Sequence, residues 1–379
     1  MDVLLEHARE NLAGMIELCR ELVECESPSD DPAAVGRFVE LVADRLAPLG
    51  KVRIIPGTGR FGPHLQCEFD LPSSGLDGQI LCLGHSDTVW PVGTIKTMPF
   101  HDDGARLSGP GILDMKAGIA FLIFAIRALD DLGLKVNRRI LLQLNSDEEV
   151  GSDSSRALTE EEARRSVAVL VLEPGTGLEG KLKTARKGIG DYTVTVRGKA
   201  AHSGLDFTGG ASAIFEIARQ LEIIAGFTDL DRGITVNPGV ISGGTRPNVV
   251  AAEARVECDM RVLQIEDAAF VDRLFHSLTP FDERCKIEVS GGLNRPPMER
   301  KMAAGLFRKA QAAGRELGIE LEESLSGGGS DGNFTAALGI PTLDGIGAVG
   351  EGAHAPNESI LIDRMAERTA LLAKLLRTM

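Results

Sequence analysis

A chain of 379 residues has room for two or three domains and a sizeable core, and its 43% hydrophobic and 25% charged residues exclude global disorder. Its 41 basic and 55 acidic side chains leave a net charge of −14, which argues against gripping nucleic-acid phosphates or an anionic membrane. With only 4% aromatic residues, base-stacking platforms are not expected either.

The N-terminal stretch MDVLLEHARENLAGMIELCRELVE is charged throughout, with neither a basic n-region nor an apolar h-region. No signal peptide is expected, and the expected compartment is the cytoplasm. Apolar positions at three-to-four spacing predict helices over 4–24 and 32–48. The runs QILCLG (79–84), RILLQL (139–144) and VAVLVL (167–172) are apolar without alternation, as central strands covered on both faces are. Between the first two lies KAGIAFLIFAIRAL (116–129), a helix apolar nearly all round. This region is therefore α/β. Its longest apolar run, Ala117 to Ile126, ends at Arg127 and is too short to span a bilayer.

Near residue 188 the pattern changes. DYTVTVRG (191–198) alternates, 211–226 is helical, 233–243 is extended, 249–262 alternates, 266–278 is helical and 285–292 is extended. The order β-α-β-β-α-β predicts a ferredoxin-like domain inserted into the first. The expected domains are 1–186 and 298–379 for the mixed, mostly parallel α/β part and 187–297 for the insert. Helix 299–317, the glycine loop SGGGSDGN (326–333) and an amphipathic helix over 360–379 complete the chain. The six cysteines are scattered without a C-x-x-C pair and read as buried thiols.

Polar residues follow the buried strands directly: His85-Ser86-Asp87, then Ser146-Asp147-Glu148-Glu149, then Glu173. Ligands of open α/β sheets bind at such carboxyl ends. Asp114, ahead of the apolar helix, and His354 join them. Two histidines with several carboxylates and no cysteine suit a pair of zinc, cobalt or manganese ions better than one structural zinc. Of the adjacent glutamates, one can bind metal while its neighbour accepts a water proton.

The segments GHSDTV (84–89), GPGILDMKAG (109–118), DEEVGS (147–152), LEPG (172–175) and GAHAPNE (352–358) together resemble the metal-site motifs of the co-catalytic zinc peptidases. That family includes glutamate carboxypeptidase, aminoacylase, acetylornithine deacetylase and succinyl-diaminopimelate desuccinylase. The resemblance implies two Zn2+ per subunit, with Co2+ or Mn2+ as substitutes. His85, Asp114 and Glu173 would hold one ion, and His354, Asp114 and Glu149 the other, with Asp114 bridging. Glu148 would be the general base acting on metal-activated water, and Asp87 would orient His85 through its other nitrogen. The family often has a cis peptide after the bridging aspartate, here Asp114-Met115.

The same resemblance makes the insert a lid that dimerises. GKAAHSG (198–204) is similar to the lid motif, so His202 would donate to the developing oxyanion in the partner subunit's site. GGTRPNVV (243–250), DMRV (259–262) and the glycine loop would grip the substrate carboxylate through Asn248, Arg261 and the backbone of Gly329. Plainer alternatives stand beside these: Asp87 and His202 as turn residues, and Arg261 paired with Glu253, Glu257 or Asp259. The glycine loop lacks a Gly-Lys-Ser/Thr ending and a strand–loop–helix setting, which argues against a phosphate cradle. The wording of GPGILDMKAG, the spacing after GHSDTV and the glycine loop look closest to glutamate carboxypeptidase. An N-acyl-amino-acid deacylase is the alternative. The substrate is expected to be a small peptide or N-acyl amino acid, with no nucleic-acid or membrane partner.

Overall fold

Asp2 accepts the amide of Leu4 and so caps the first helix, α1 (Val3–Glu10). In the computed structural model, which describes residues 2–379, the helix predicted over 4–24 is broken. Asn11 turns its backbone N–H and its side-chain amide onto the carbonyl of His7, ending α1 before α2 (Leu12–Glu24) begins. Asp31 then caps α3 (Pro32–Leu46), accepting the amides of Ala33 and Ala34 with Pro32 at the first helical position.

The strands and helices that follow are β1 (Gly50–Ile55), β2 (His64–Phe69), β3 (Gln79–His85), β4 (His101–Asp102), β5 (Arg106–Ser108), α4 (Ala117–Asp131), β6 (Arg139–Asn145), α5 (Arg156–Arg164), β7 (Ser166–Val171) and β8 (Leu182–Arg186). Next come β9 (Gly188–Arg197), α6 (Ala213–Ala225), β10 (Thr235–Gly243), β11 (Glu253–Val262), α7 (Ile265–His276) and β12 (Lys286–Arg295). The chain closes with α8 (Arg300–Leu317), β13 (Glu323–Ser326), α9 (Gly332–Ala337), β14 (Thr342–Leu343), β15 (Gly350–Glu351), β16 (Ser359–Leu361) and α10 (Met365–Thr378).

Two compact units result. One comprises the chain up to Ala185 with Glu299–Ser326 and Ser330–Met379, and the other Arg186–Met298 with Gly327–Gly329. In the first, a six-stranded mixed sheet runs β1-β2-β6-β3-β7-β14. The neighbours β6, β3, β7 and β14 are parallel, while β1 and β2 add antiparallel strands at one edge. Every residue of β3 is buried, as its unbroken apolar run requires. Leu, Ile and Val side chains buried in this way stabilise by about 1.5–3 kcal/mol each. Helix α4 is buried nearly all round, and its Gly118 is indispensable there: a Cβ would stand 2.2 Å from the carbonyl oxygen of Leu172. The terminal helix is less amphipathic than expected. Its Arg368 is fully buried and donates to the carbonyls of Gly345, Gly347 and Gly180, so a cation replaces apolar packing.

In the second unit β9, β10, β11 and β12 form an antiparallel sheet ordered β10-β11-β9-β12, with α6 and α7 supplying Ile217, Ile224, Val271 and Phe275 to its core. This is the ferredoxin-like order. Tyr192 stacks on Phe275 with ring centroids 4.0 Å apart. Where the unit begins and ends, Arg186 and Met298 exchange both backbone hydrogen bonds at 3.0 Å. Among the described residues no helix is long and apolar enough to cross a membrane, and all six cysteines are unpaired.

Candidate metal centre

Because β6, β3 and β7 are parallel neighbours, their carboxyl ends present Asn145, His85 and Val171 along one edge, with Glu148, Glu149 and Glu173 just beyond. His85 donates through Nδ1 to the carbonyl of Asp87 at 2.9 Å, which points Nε2 at Asp114 Oδ1 (3.1 Å) and Glu173 Oε1 (3.4 Å). The other oxygen of Asp114 lies 3.2 Å from His354 Nε2, which is also 3.2 Å from Glu149 Oε1. The groups form one chain: Glu173, His85, Asp114, His354, Glu149. Each carboxylate oxygen of Asp114 faces a different imidazole.

Local backbone geometry makes this meeting. Gly111 has φ +74°, and a Cβ there would come within 2.7 Å of Thr88, so the turn carrying Asp114 needs glycine. The Asp114-Met115 peptide is cis. Asp87 takes a broader role than expected of it. Its carboxylate stands 3.6 Å from His85 Nδ1, the ring being held by the Asp87 carbonyl instead. The carboxylate accepts Ser29 Oγ (2.7 Å) and the amides of Glu148 and Glu149 (3.2 Å each), pinning the turn that carries both glutamates.

Burial pushes Asp114 toward the neutral form, but hydrogen bonds from His354 and His85 outweigh it and hold the carboxyl well below its usual range. Burial opposes charge on His85, yet Asp114, Asp87 and Glu173 raise it well above an ordinary histidine. His354, bonded to Asp114 and Glu149, is raised to about 10. Burial raises Glu149, against the His354 bond. Protonated imidazoles thus balance a cluster of carboxylates that would otherwise repel one another. The donors group as His85, Glu148 and Glu173 and as His85, Asp114 and Glu149, each set lying within 4.8 Å. Imidazole and carboxylate without thiolate is the donor chemistry of zinc, cobalt or manganese, and a carboxylate between two imidazoles fits a shared ligand of two ions.

Two neighbours are given no role by the sequence. Lys183, a buried residue of β8, places Nζ 3.6 Å from Glu173 Oε2, on the oxygen turned away from His85. Glu358, the last residue of GAHAPNE, is fully buried beneath the Asp114 turn. His64 is buried, and its Nδ1 accepts the amide of Ser146 at 3.2 Å, behind the glutamate turn.

The second unit arranges its expected residues in two groups. His202 is exposed, and its Nδ1 accepts the amides of Gly204 (3.1 Å) and Leu205 (3.2 Å), so it does serve its own turn. With Nδ1 an acceptor, the neutral ring carries its proton on Nε2 as a donor. His202 bridges Val249, next to the exposed Asn248, whose carbonyl accepts the amide of Ser203. Arg261 does pair with Asp259, at 2.9 and 3.0 Å, and reaches the carbonyl of Gly327 at 3.4 Å. The carbonyl of Gly329 accepts the buried Arg186 at 2.8 Å. The glycine loop corrects one expectation: it does stand between a strand, β13, and a helix, α9. That helix has only six residues, and the acidic Asp331 sits at its start, accepting Asn145 and Ser152, so a phosphate cradle is still disfavoured.

The comparisons agree with this geometry. The chain is 27% identical to carboxypeptidase G2 of Pseudomonas sp. (strain RS-16), over 99% of this chain and 91% of that protein. Aminopeptidase PepT from Bacillus cereus ATCC 10987 superposes with a TM-score of 0.78 at 24% identity, covering 97% of this chain and 98% of that one. The Bacillus subtilis YXEP protein, described as a dinuclear metal binding peptidase, does so with a TM-score of 0.71 at 15% identity, covering 97% and 98%. The segment 81–378, which holds every residue of the cluster, matches peptidase family M20/M25/M40. The chain belongs to that family and is a metallopeptidase, a hydrolase of peptide bonds.

Proposed function

We propose that the protein is a zinc-dependent hydrolase that releases a C-terminal amino acid, in the manner of a glutamate carboxypeptidase. The observation that carries the reading is Asp114, whose two oxygens face His85 and His354 at 3.1 and 3.2 Å, with Glu148 grouped against His85 and Glu173. When bound, a pair of zinc ions polarises the scissile carbonyl and lowers the pKa of the attacking water. His85, Asp114 and Glu173 are assigned to one ion and His354, Asp114 and Glu149 to the other. Glu148 takes the proton of the attacking water and delivers it to the leaving nitrogen. Nε2–H of His202 donates to the oxyanion, and Asn248, Arg261 and the backbone of Gly329 hold the substrate carboxylate. The carboxypeptidase branch is supported by the likeness to carboxypeptidase G2 across 99% of the chain, and by the cations Arg186 and Arg261 gathered at Gly327–Gly329.

Amino-acid release from N-acetyl, N-benzoyl and folyl amino acids and from dipeptides, read by mass spectrometry on the zinc-loaded protein, tests this. Release of C-terminal glutamate from bulky acyl groups is expected. Preference for small acyl groups would move the protein to the deacylases, and silence with metal bound would overturn the substrate class.

We further infer a homodimer through the second unit. β10 is an edge strand of its sheet, and it exposes Val240 and Ile241, each at 58%. Helix α6 adds Ile214 and the 64%-exposed Phe215 beside a cavity of about 460 Å³. An unpaired edge with apolar side chains is the feature a second copy of the same strand completes. Ile241→Lys is expected to convert a dimer into a monomer in analytical ultracentrifugation. A wild-type protein that sediments as a monomer at micromolar concentration would refute the interface.

A further inference from the structure

We propose that Glu358 is the positioning residue of the metal centre, the single carboxylate that ties the segments bearing His85, Asp114 and His354 into one frame. The inference rests on reading Asp114 as the shared ligand.

Glu358 is fully buried, and each of its oxygens accepts two donors. Oε1 takes the amides of Leu113 (2.9 Å) and Asp114 (3.1 Å). Oε2 takes the amide of Gly111 (2.9 Å) and the indole Nε1–H of Trp90 (2.8 Å). Three of these donors belong to the turn that presents Asp114. The fourth belongs to the segment that leaves β3 through His85. Glu358 itself closes the turn after His354, its amide donating to the carbonyl of Ala355 at 2.9 Å, while its own carbonyl accepts Gly109. Three segments that each carry an assigned ligand therefore meet at this side chain.

The chemistry demands a carboxylate. Four N–H groups converge on it, and only an ionised carboxyl offers acceptors on both oxygens with no proton of its own. A glutamine would keep one oxygen and turn an NH2 group against two donors, leaving them buried without an acceptor. The charge also matters at longer range. A buried anion below Asp114 adds to the negative potential that two dications would experience, and in the metal-free protein Lys116 is its cationic neighbour. Partners of this kind behind a metal ligand are worth about 10–100-fold in affinity or activity when removed.

The test uses the full-length protein with metal removed, titrated with Co2+ and followed by its visible d–d absorption, alongside kcat and KM for a hydrolysed substrate. Glu358→Gln is expected to bind a second Co2+ at least about tenfold more weakly than wild type, with an altered spectrum. Its kcat should fall at least about tenfold while KM stays within about twofold. Trp90→Phe removes one donor of the four and keeps the test open should the first variant misfold. It should shift the same quantities in the same direction by a smaller factor. Two Co2+ bound with wild-type affinity and spectrum in Glu358→Gln would overturn the proposal. A wild-type protein that binds a single Co2+ would instead overturn the shared-ligand reading of Asp114.

Discussion

Glu148→Gln is expected to lower kcat by about 10²–10⁴-fold while leaving two metal ions bound. The variant keeps the side chain's size and removes only its capacity to take a proton. The structure makes this informative because Glu148 and Glu149 are both within reach of the cluster: one groups with His85 and Glu173, the other with His85 and Asp114. Their amides share the Asp87 carboxylate, so the turn survives a change at either side chain. If Glu148 is the base, metal content by elemental analysis stays at two per chain and activity collapses. Loss of one ion would show that Glu148 is a ligand and that the proton acceptor lies elsewhere.

Metal loading is expected to release about two protons per chain near neutral pH and to fail in acid. His354, held up to about 10 by Asp114 and Glu149, and His85, raised by its three carboxylate neighbours, carry protons in the metal-free protein. An incoming ion displaces them. The sign for stability follows. In the metal-free protein the folded value of His354 lies above its ordinary 6.5, so its contribution is complete below that pH and is lost as pH rises through about 10. Metal stabilisation runs the other way, growing as the competing protons leave. The gap in melting temperature between zinc-loaded and chelator-treated protein should therefore widen from pH 6 to pH 9. A constant or narrowing gap would contradict the protonated-imidazole account of the empty cluster.

How much of this was legible in sequence depends on the kind of signal. The parallel strands β3, β6 and β7 announced themselves as unbroken apolar runs, and the residues after them had to share an edge. The antiparallel edge was silent, because β2 reads HLQCEF. Its alternate Leu65, Cys67 and Phe69 make a period only three residues long, and the polar His64 and Gln66 between them are buried through hydrogen bonds, which no apolar run announces. The break at Asn11 was hidden because apolar spacing continues across it. Lys183 and the role of Glu358 escaped for a related reason: Lys183 stands in no motif, Glu358 only closes one, and each acquires meaning only from residues distant in the chain. Conversely, Arg261 and His202 met the plain partners that their surroundings offered, Asp259 and the amides of a turn.

The rung between Arg186 and Met298 has an architectural consequence. A folded segment that leaves and returns at adjacent points holds the ends of the gap together itself, and loop-closure cost grows only slowly with length, so the host tolerates a long insertion there. His85, Asp87, Asp114, Glu148, Glu149, Glu173 and His354 all belong to the host. The arrangement works like an interchangeable tool head: the inserted segment can be exchanged while the cluster of the host keeps its setting.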